Sequence, residues 1–226
     1  MRYPNIHRAV FLQRPNRFVA HCELEGEPIT VHVKNTGRCR ELLVPGAEVW
    51  LTKSENPARK TAFDLIAVQK GPRLVNMDAQ APNAVFGEYV RAGRFLPHVR
   101  HVRAEVRYGD SRFDFCLEAG GKTHFVEVKG VTLEENGAVR FPDAPTERGV
   151  KHLKELQKAA AEGYGAHAVF VIQMADVSTF SPNDDTHPAF GAALREAAAS
   201  GVEVHAFRCR VTPDTLEIAG DVPVVL

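Results

Sequence analysis

The chain contains little of what secreted, membrane-spanning or zinc-binding proteins require. Its four cysteines are scattered and form no CxxC pair, which argues against disulfides and against a structural zinc site. No apolar run approaches the length of about 18 residues that a membrane helix needs, and charges and prolines interrupt the N-terminal stretch MRYPNIHRAVFLQRPNRF. The absence of HExxH argues against a histidine-ligated catalytic zinc. Together these absences predict a cytoplasmic protein without a membrane partner.

The formal net charge is zero, yet the charges are unevenly distributed along the chain. Residues 1–110 hold 17 basic and 11 acidic side chains, whereas residues 111–226 hold 11 basic and 17 acidic ones. The stretch 91–107 contains five arginines with Glu105 as its only acid. A basic stretch of this kind can bind phosphates in a protein that is neutral overall, although it is equally typical of a solvated surface at a domain junction.

Residues 1–80 consist of short β-type runs separated by turn clusters such as EGEP and SENP, with no helical periodicity of useful length. This spacing predicts a small barrel or sandwich, and an N-terminal OB-type β-barrel of about five strands fits it. OB barrels commonly bind single-stranded nucleic acid in a basic groove. Candidate contacts here are Arg14, Arg17 and Arg38, which an ordinary barrel surface could also carry.

Residues 81–226 change to alternating helical and strand patterns. Helices are predicted over 82–93, 146–162 and 189–200, and strands over 102–108, 112–118, 123–129, 168–173 and 202–209. This order predicts an α/β domain. The chain as a whole is therefore expected to be a two-domain α/β (α+β) protein.

The most informative candidates for an active site are Asp114, Glu127 and Lys129. Residues two apart in a strand share a face, so Glu127 and Lys129 project together. Asp114 lies near the start of the preceding antiparallel strand, where it would face Glu127 across the hairpin. Two carboxylates and an ammonium could hold Mg²⁺ and activate water against a phosphodiester. Exposed strand faces also carry such charge pairs without any function.

The stretch FPDAPTERGVKHLKEL, residues 141–156, closely resembles the signature of the sugar fermentation stimulation protein A (SfsA) family. The resemblance extends over nearly the whole chain and includes FLQRPNRF (11–18), VHVKNTGRCRELLVPGAEVWL (31–51), NPARKTAFDL (56–65) and SRFDF (111–115). Gly130 and Pro145 depart locally from the family pattern, which commonly has Ser at the first position and a β-branched or apolar residue at the second.

The resemblance implies a small OB-type barrel followed by a PD-(D/E)XK nuclease-like domain, with DNA as the expected partner. In such a nuclease Asp114, Glu127 and the carbonyl of Val128 would bind Mg²⁺ (or Mn²⁺). Lys129 would orient or help deprotonate the attacking water, or stabilise charge that develops on the phosphate.

Glu88 and Glu105 are candidates for an additional metal-binding acid. Several nucleases of this class carry a glutamate on the helix before the sheet, where Glu88 lies. Glu88 could instead pair with Arg91 three residues later, and Glu105 could pair with Arg103 or Arg107.

The predicted helix over 146–162 carries basic side chains on one face, since residues at i, i+3 and i+4 lie together. Asp143 or Thr146 would cap its N-terminus. A basic first turn is unfavourable next to the helix dipole, which favours a contact with nucleic acid over a solvated face. Beyond the barrel, the predicted nucleic-acid contacts are Arg91, Arg94, Arg148, Lys151 and His152.

Two functions compete. The first is a Mg²⁺-dependent nuclease, which the intact Asp114, Glu127 and Lys129 favour. The second is a non-catalytic DNA-binding regulator of sugar (maltose-type) metabolism genes that uses a nuclease-like fold. A carbohydrate-responsive protein has only the family name in its favour, because no sugar-binding aromatic cluster is visible. The choice between DNA and RNA, and the question of a homodimer, are left open.

Overall fold

Five N-terminal strands close into a barrel in the computed structural model, which describes residues 1–35 and 37–226. The strands are β1 (Ile6–Asn16), β2 (Val19–Leu24), β3 (Glu27–Val33), β4 (Glu48–Lys53) and β5 (Phe63–Lys70). They pair in the order β3-β2-β1-β4-β5, and a parallel pairing of β3 with β5 closes the ring. Phe11, Val31, Leu51 and Leu65 fill its interior. The predicted OB-type barrel is confirmed, with β6 (Arg73–Asn76) added beside β5.

The remaining residues form a mixed α/β domain. Its helices are α1 (Ala81–Arg91), α2 (Glu147–Ala161) and α3 (Pro188–Ala199). Its strands are β7 (Val99–Tyr108), β8 (Ser111–Ala119), β9 (Lys122–Val131), β10 (Leu133–Glu135), β11 (Ala138–Phe141), β12 (Gly165–Ile172), β13 (Thr179–Pro182), β14 (Glu203–Thr212) and β15 (Thr215–Asp221). The main sheet has the order β15-β14-β12-β9-β8-β7, and β10, β11 and β13 form a separate small sheet.

The main sheet is covered on both faces. The central pairs β9–β12 and β12–β14 are parallel, and such strands are normally buried on both sides. Along β9, Val126 and Val128 pack in the cluster that contains residues of α1, whereas Phe125 packs with residues of α2 and α3. Side chains alternate along a strand, so Glu127 and Lys129 lie on the α2 face. None of the described helices has the length and apolar character needed to cross a membrane.

α2 begins where the sequence indicates. The hydroxyl of Thr146 accepts a hydrogen bond from the Gly149 N–H at 3.1 Å, which makes Thr146 the cap. The alternative cap, Asp143, instead accepts the Arg38 N–H at 3.1 Å through Oδ2. Asp143 therefore joins the segment before α2 to a loop of the barrel.

Polar contacts also join the barrel to the α/β domain. The Gln173 side chain donates to Asn76 Oδ1 at 2.8 Å and to the Asp78 carbonyl at 3.0 Å. Buried Glu134 binds Lys70 at 2.8 Å and Arg73 at 3.1 Å. One apolar cluster contains buried residues of both regions. The two domains are thus packed as one body around a shared core.

Candidate active site

The antiparallel pairing of β8 with β9 brings Asp114 of β8 next to Glu127 of β9. The regular ladder pairs Phe115 with Val126, and the same register continued by one residue places Asp114 opposite Glu127. Asp114 Oδ2 accepts the Val128 N–H at 2.8 Å. Its other oxygen accepts the side-chain amide of Asn83 on α1 at 2.8 Å. Asp114 is therefore fixed at the end of the β8–β9 ladder by two donors from different elements.

Glu127 lies at the centre of the site with only 4% of its surface exposed. Its Oε1 accepts a hydrogen bond from Lys129 Nζ at 2.5 Å and one from His152 Nδ1 on α2. Its Oε2 is buried and has no hydrogen-bond partner among the residues that the structure describes. Two cationic or donor groups thus hold one oxygen, and the other oxygen is free to bind a ligand.

The two carboxyl groups differ in their readiness to ionise. Burial, followed by the negative charge of Glu127, raises the pKa of Asp114 above its ordinary value. Burial would also raise the pKa of Glu127, but hydrogen bonds from His152 and Lys129 outweigh it and hold that pKa below its ordinary value. A cation bound between the two groups would relieve the repulsion that disfavours the Asp114 charge.

The donor atoms fit a hard divalent cation. Mg²⁺ prefers oxygen ligands, needs only one or two carboxylates and keeps several waters. The free Oε2 of Glu127 and the Asp114 carboxylate meet that requirement. In a strand, the N–H and C=O of one residue point to the same side. The Val128 carbonyl therefore faces the same edge as its N–H, which Asp114 accepts beyond the last β8–β9 pair.

Glu88 does not join this group, and its suggested role is corrected. Its carboxylate binds the N-terminal ammonium of Met1 at 2.7 Å, and its side chain is 56% exposed. Asn83 is the α1 residue that contacts Asp114. Five helical positions separate Glu88 from Asn83, which turns it about 140° away around the helix axis.

Glu105 is exposed and takes part in an ion pair. The register of β7 with β8 places it opposite Asp114, between the Ala104–Phe115 and Val106–Phe113 pairs. Its backbone, however, adopts φ +56°, and its exposed carboxylate lies 3.3 Å from Nε of Arg112. Its ion-pair partner is thus Arg112, and not Arg103 or Arg107 as suggested.

Three residues of α2 were predicted to contact nucleic acid, and only one of them contacts Glu127 directly. His152 does, and Arg148 Nε in turn donates to His152 Nε2 at 3.3 Å. Lys151 instead donates from Nζ to the Asp110 carbonyl at 3.1 Å, in the turn between β7 and β8. His152 was predicted to contact nucleic acid, but the structure gives it a position inside the carboxylate cluster.

The barrel arginines serve different purposes. Arg14 donates to the carbonyls of Arg17, Asn35, Gly37 and Arg38, so it organises a loop and is not available to phosphates. This corrects its prediction as a nucleic-acid contact. Arg17 and Arg38 are exposed and line an open cleft of about 450 Å³. The Arg38–Asp143 contact places this cleft beside the entrance to α2.

Arg91 is the last residue of α1 and Arg94 follows it, whereas Asn83 lies in the first turn of this helix. Eight helical positions separate Asn83 from Arg91, or about 12 Å along the axis. Arg91 is exposed. Arg94 lies 3.6 Å from Glu217 of β15. The structure does not bring either arginine to the carboxylates.

Asn83 is the site residue that the sequence did not indicate. The available signal was its position in the first turn of the helix predicted over 82–93, which precedes the sheet. An amide at that place carries no charge and forms no recognisable spacing with Asp114. Its contact becomes visible only when α1 is packed on the sheet.

Comparisons with known proteins agree over the whole chain. A family model described as "Sugar fermentation stimulation protein RE domain" matches residues 80–215, and one described as "SfsA N-terminal OB domain" matches residues 12–77. A sugar fermentation stimulation protein homolog of Desulfitobacterium hafniense strain Y51 is 56% identical and covers 98% of this chain and 96% of the relative. One of Ruminiclostridium cellulolyticum is 52% identical over 100% of both. The solved structure of Pyrococcus furiosus SfsA in complex with Ca²⁺ matches with 28% identity and a TM-score of 0.91, covering 100% of this chain and 98% of that chain.

Proposed function

The chain belongs to the sugar fermentation stimulation protein family, and we propose that it is a DNA-binding protein that hydrolyses phosphodiester bonds with a divalent metal ion. The observation that carries this proposal is the buried, unpartnered Oε2 of Glu127 beside the carboxyl group of Asp114. The Pyrococcus furiosus relative was solved with Ca²⁺, a cation that shares the preference of Mg²⁺ for oxygen ligands. That complex supports a divalent-cation site in the family.

Asp114, Glu127 and the Val128 carbonyl are the groups that would hold the ion. When bound, Mg²⁺ or Mn²⁺ would neutralise the carboxylates, lower the pKa of an attacking water and polarise the phosphate. The Val128 N–H and Asn83 fix the orientation of Asp114. This arrangement supports the PD-(D/E)XK nuclease-like site that the family resemblance implies.

Lys129 would stabilise charge on the phosphate, and His152 would position the Glu127 carboxylate. The Lys129 ammonium lies on Glu127, where it can stabilise negative charge that develops on the phosphate oxygens. His152 holds Oε1 of Glu127 and thereby leaves Oε2 for the cation. Arg148 donates to His152 and can reach a neighbouring phosphate from the first turn of α2.

The proposed DNA surface connects the barrel to the carboxylates. The Arg38 N–H contacts Asp143 just before α2, and Arg148 of α2 contacts His152 at the site. The exposed side chains of Arg17 and Arg38 would bind phosphates on the barrel side of this path. DNA that follows the path would reach both domains.

The test is cleavage of plasmid and single-stranded DNA by purified protein with Mg²⁺, with Mn²⁺ and with neither. We expect metal-dependent cutting that Asp114→Asn and Lys129→Ala each abolish while DNA binding is retained. Asp185→Asn is the matched control, because that side chain is 91% exposed, and it should cut like the wild type. Equal cutting by both site variants would refute the nuclease proposal.

One observation favours the second function. Lys129 and His152 both bind Oε1 of Glu127, and a fold without turnover could keep these contacts for stability. If the wild type binds DNA but cuts none under any divalent metal, the protein acts as a non-catalytic regulator of sugar metabolism genes.

A further inference from the structure

A second polar cluster lies on the opposite face of the main sheet. It contains His124 of β9, His167 of β12, and Glu203 and His205 of β14. His124 has the same strand parity as Val126, which packs with residues of α1, so it projects away from α2 and from Glu127. This histidine cluster is therefore separate from the carboxylate site in both position and chemistry.

Three ligand atoms of this histidine cluster form a compact triangle. His167 Nδ1 and His205 Nε2 are 3.2 Å apart. Glu203 Oε2 lies 3.8 Å from the first nitrogen and 3.6 Å from the second. A tetrahedral zinc site with bonds of about 2.0–2.1 Å places its ligand atoms roughly 3.3 Å apart. The three atoms are thus spaced as one face of such a site with only small adjustments.

Burial favours the neutral form of the two histidines. Burial and the neighbouring imidazoles lower the pKa of His167 to about 3, and burial also lowers the pKa of His205. Both shifts favour the uncharged imidazole that binds a metal ion. His167 Nε2 lies 3.0 Å from His124 Nδ1. If His167 donates that hydrogen bond, its Nδ1 carries the lone pair that faces Glu203 and His205.

The surroundings hold the rings in place. A Cβ atom at Gly165 would lie 2.0 Å from His124 Nδ1, so the glycine leaves the space that the His124 ring occupies. Phe95 packs edge-on against His167 at 5.2 Å and against His205 at 5.1 Å between ring centroids. These contacts preorganise the imidazoles before any ligand arrives.

We propose that His167, Glu203 and His205 bind one transition-metal ion of the zinc class, with His124 as the residue that orients His167. Imidazole ligands favour Zn²⁺, Co²⁺ and Ni²⁺ over Mg²⁺, so this ion differs from the one proposed at Asp114 and Glu127. The His167 side chain is fully buried, but those of His205 and Glu203 are 26% and 61% exposed. The ion can therefore enter from solvent, and its fourth position is open to water.

No sequence motif indicates this site, because its ligands follow no CxxC or HExxH spacing. Glu203 and His205 are two residues apart in one strand, and the parallel pairing of β12 with β14 brings His167 opposite Glu203. The alternative arrangement is a simple hydrogen bond from His205 to His167. The two arrangements differ in one measurable respect, which is the binding of a metal ion.

The experiment uses the full chain without an affinity tag, after treatment with a chelator. Co²⁺ is titrated while visible absorption is recorded, since tetrahedral and octahedral Co²⁺ absorb with very different intensity, and Zn²⁺ is titrated by calorimetry. We expect one equivalent of Zn²⁺ and an intense tetrahedral Co²⁺ spectrum. His205→Ala and Glu203→Gln should each lose that spectrum, whereas His101→Ala and Asp114→Asn should retain it.

One further variant tests the role of His124, and two further measurements separate metal binding from folding. His124→Gln should weaken Zn²⁺ binding about 10–100-fold, the usual effect of losing an orienting partner. Zn²⁺ should raise Tm in the wild type but not in His205→Ala, with circular dichroism confirming that both are folded. A weak octahedral Co²⁺ spectrum in the wild type, or an unchanged one in folded His205→Ala, would show that the cluster is a hydrogen-bonded histidine chain. Neither result would bear on DNA cleavage.

Discussion

At the scale of single residues, Asp114 occupies a position that disfavours its own charge. Burial and the nearby Glu127 raise its pKa, and the donors Val128 N–H and Asn83 only partly offset this effect. A raised carboxyl pKa means that the folded protein binds the proton more tightly than the unfolded chain does. The ionised group therefore costs stability at neutral pH. Such a cost is typical of residues that bind a ligand or take part in catalysis.

Asp114→Asn should therefore stabilise the metal-free protein. Asn can accept the Val128 N–H through Oδ1, and the Asn83 amide can turn to accept from the new NH₂ group. We expect a gain in the free energy of unfolding of about 1 kcal/mol at pH 7, which corresponds to roughly 2–4 °C in Tm for a chain of this size. Urea unfolding with a chelator present would measure it, and Asp185→Asn should show no gain.

The same substitution has a defined pH dependence. With a raised folded pKa, the stability contributed by Asp114 is fully present below its ordinary pKa of 3.8 and is lost as pH rises through the folded pKa. The advantage of Asp114→Asn should thus be absent in acid and grow towards pH 7. A variant less stable than the wild type at pH 7, or an advantage that does not grow, would contradict the proposed balance of burial and repulsion.

The carboxylates could be placed from the sequence because a short hairpin fixes which residues face each other. Asp114, Glu127 and Lys129 depend only on strand parity and register. Glu88 could not be placed in this way, since its position depends on the rotation of α1 over the sheet. Contacts set by packing between elements are not encoded in local spacing.

At the scale of elements, the long helices and strands were predictable and the short strands were not. The barrel strands and α1 to α3 show clear periodicity or end at glycine. β6, β10, β11 and β13 contain only three or four residues each, which is too few to show alternation. The pairing of β11 with β13 also joins partners distant in sequence, with Ala138 opposite Thr179 in a parallel ladder. β15 was also missed, and Gly220 interrupts its pattern.

Thr146 determines how α2 presents its first turns to the site. Replacing it with Ala removes the hydrogen bond to Gly149 N–H, and such caps contribute about 1 kcal/mol. We expect Thr146→Ala to lower the free energy of unfolding by that amount. Thr146→Ser keeps the hydroxyl and should cost much less. Chemical denaturation of both variants would test this, and an equal loss in the two would mean that the methyl group, not the cap, is responsible.

At the scale of the whole molecule, the barrel and the α/β domain depend on each other. Glu134 is 2% exposed, yet it binds Lys70 and Arg73 of the barrel and accepts the Gly137 N–H at 2.6 Å. Hydrogen bonds and ion pairs of this kind stabilise an interface only when every member has its partner. The shared apolar cluster adds to this coupling, so the two domains should unfold together.

Glu134→Ala should consequently destabilise the entire chain. It leaves Lys70 and Arg73 without their carboxylate, and since both side chains are about a quarter exposed, we expect a loss of about 2–3 kcal/mol, below the range for fully buried pairs. Glu135→Ala is the matched control, because that side chain is 64% exposed and lies 3.8 Å from Arg140; it should change stability by less than about 0.5 kcal/mol. Calorimetry should show one transition for each protein. Two separate transitions would mean that the domains unfold independently.

The uneven charge of the molecule gives a test of the proposed DNA surface. Each phosphate contact that is lost should lower the salt slope of log K by about 0.7–0.9, depending on whether the DNA is single- or double-stranded. Arg17→Ala with Arg38→Ala should lower it by two such steps, because both side chains are exposed beside the cleft. Arg2→Ala with Arg210→Ala removes the same charge, but these arginines bind Asp214 and Glu217. This control should leave the slope unchanged if position, and not net charge, determines binding. Equal slopes for the two double variants would therefore place the phosphate contacts outside the barrel cleft.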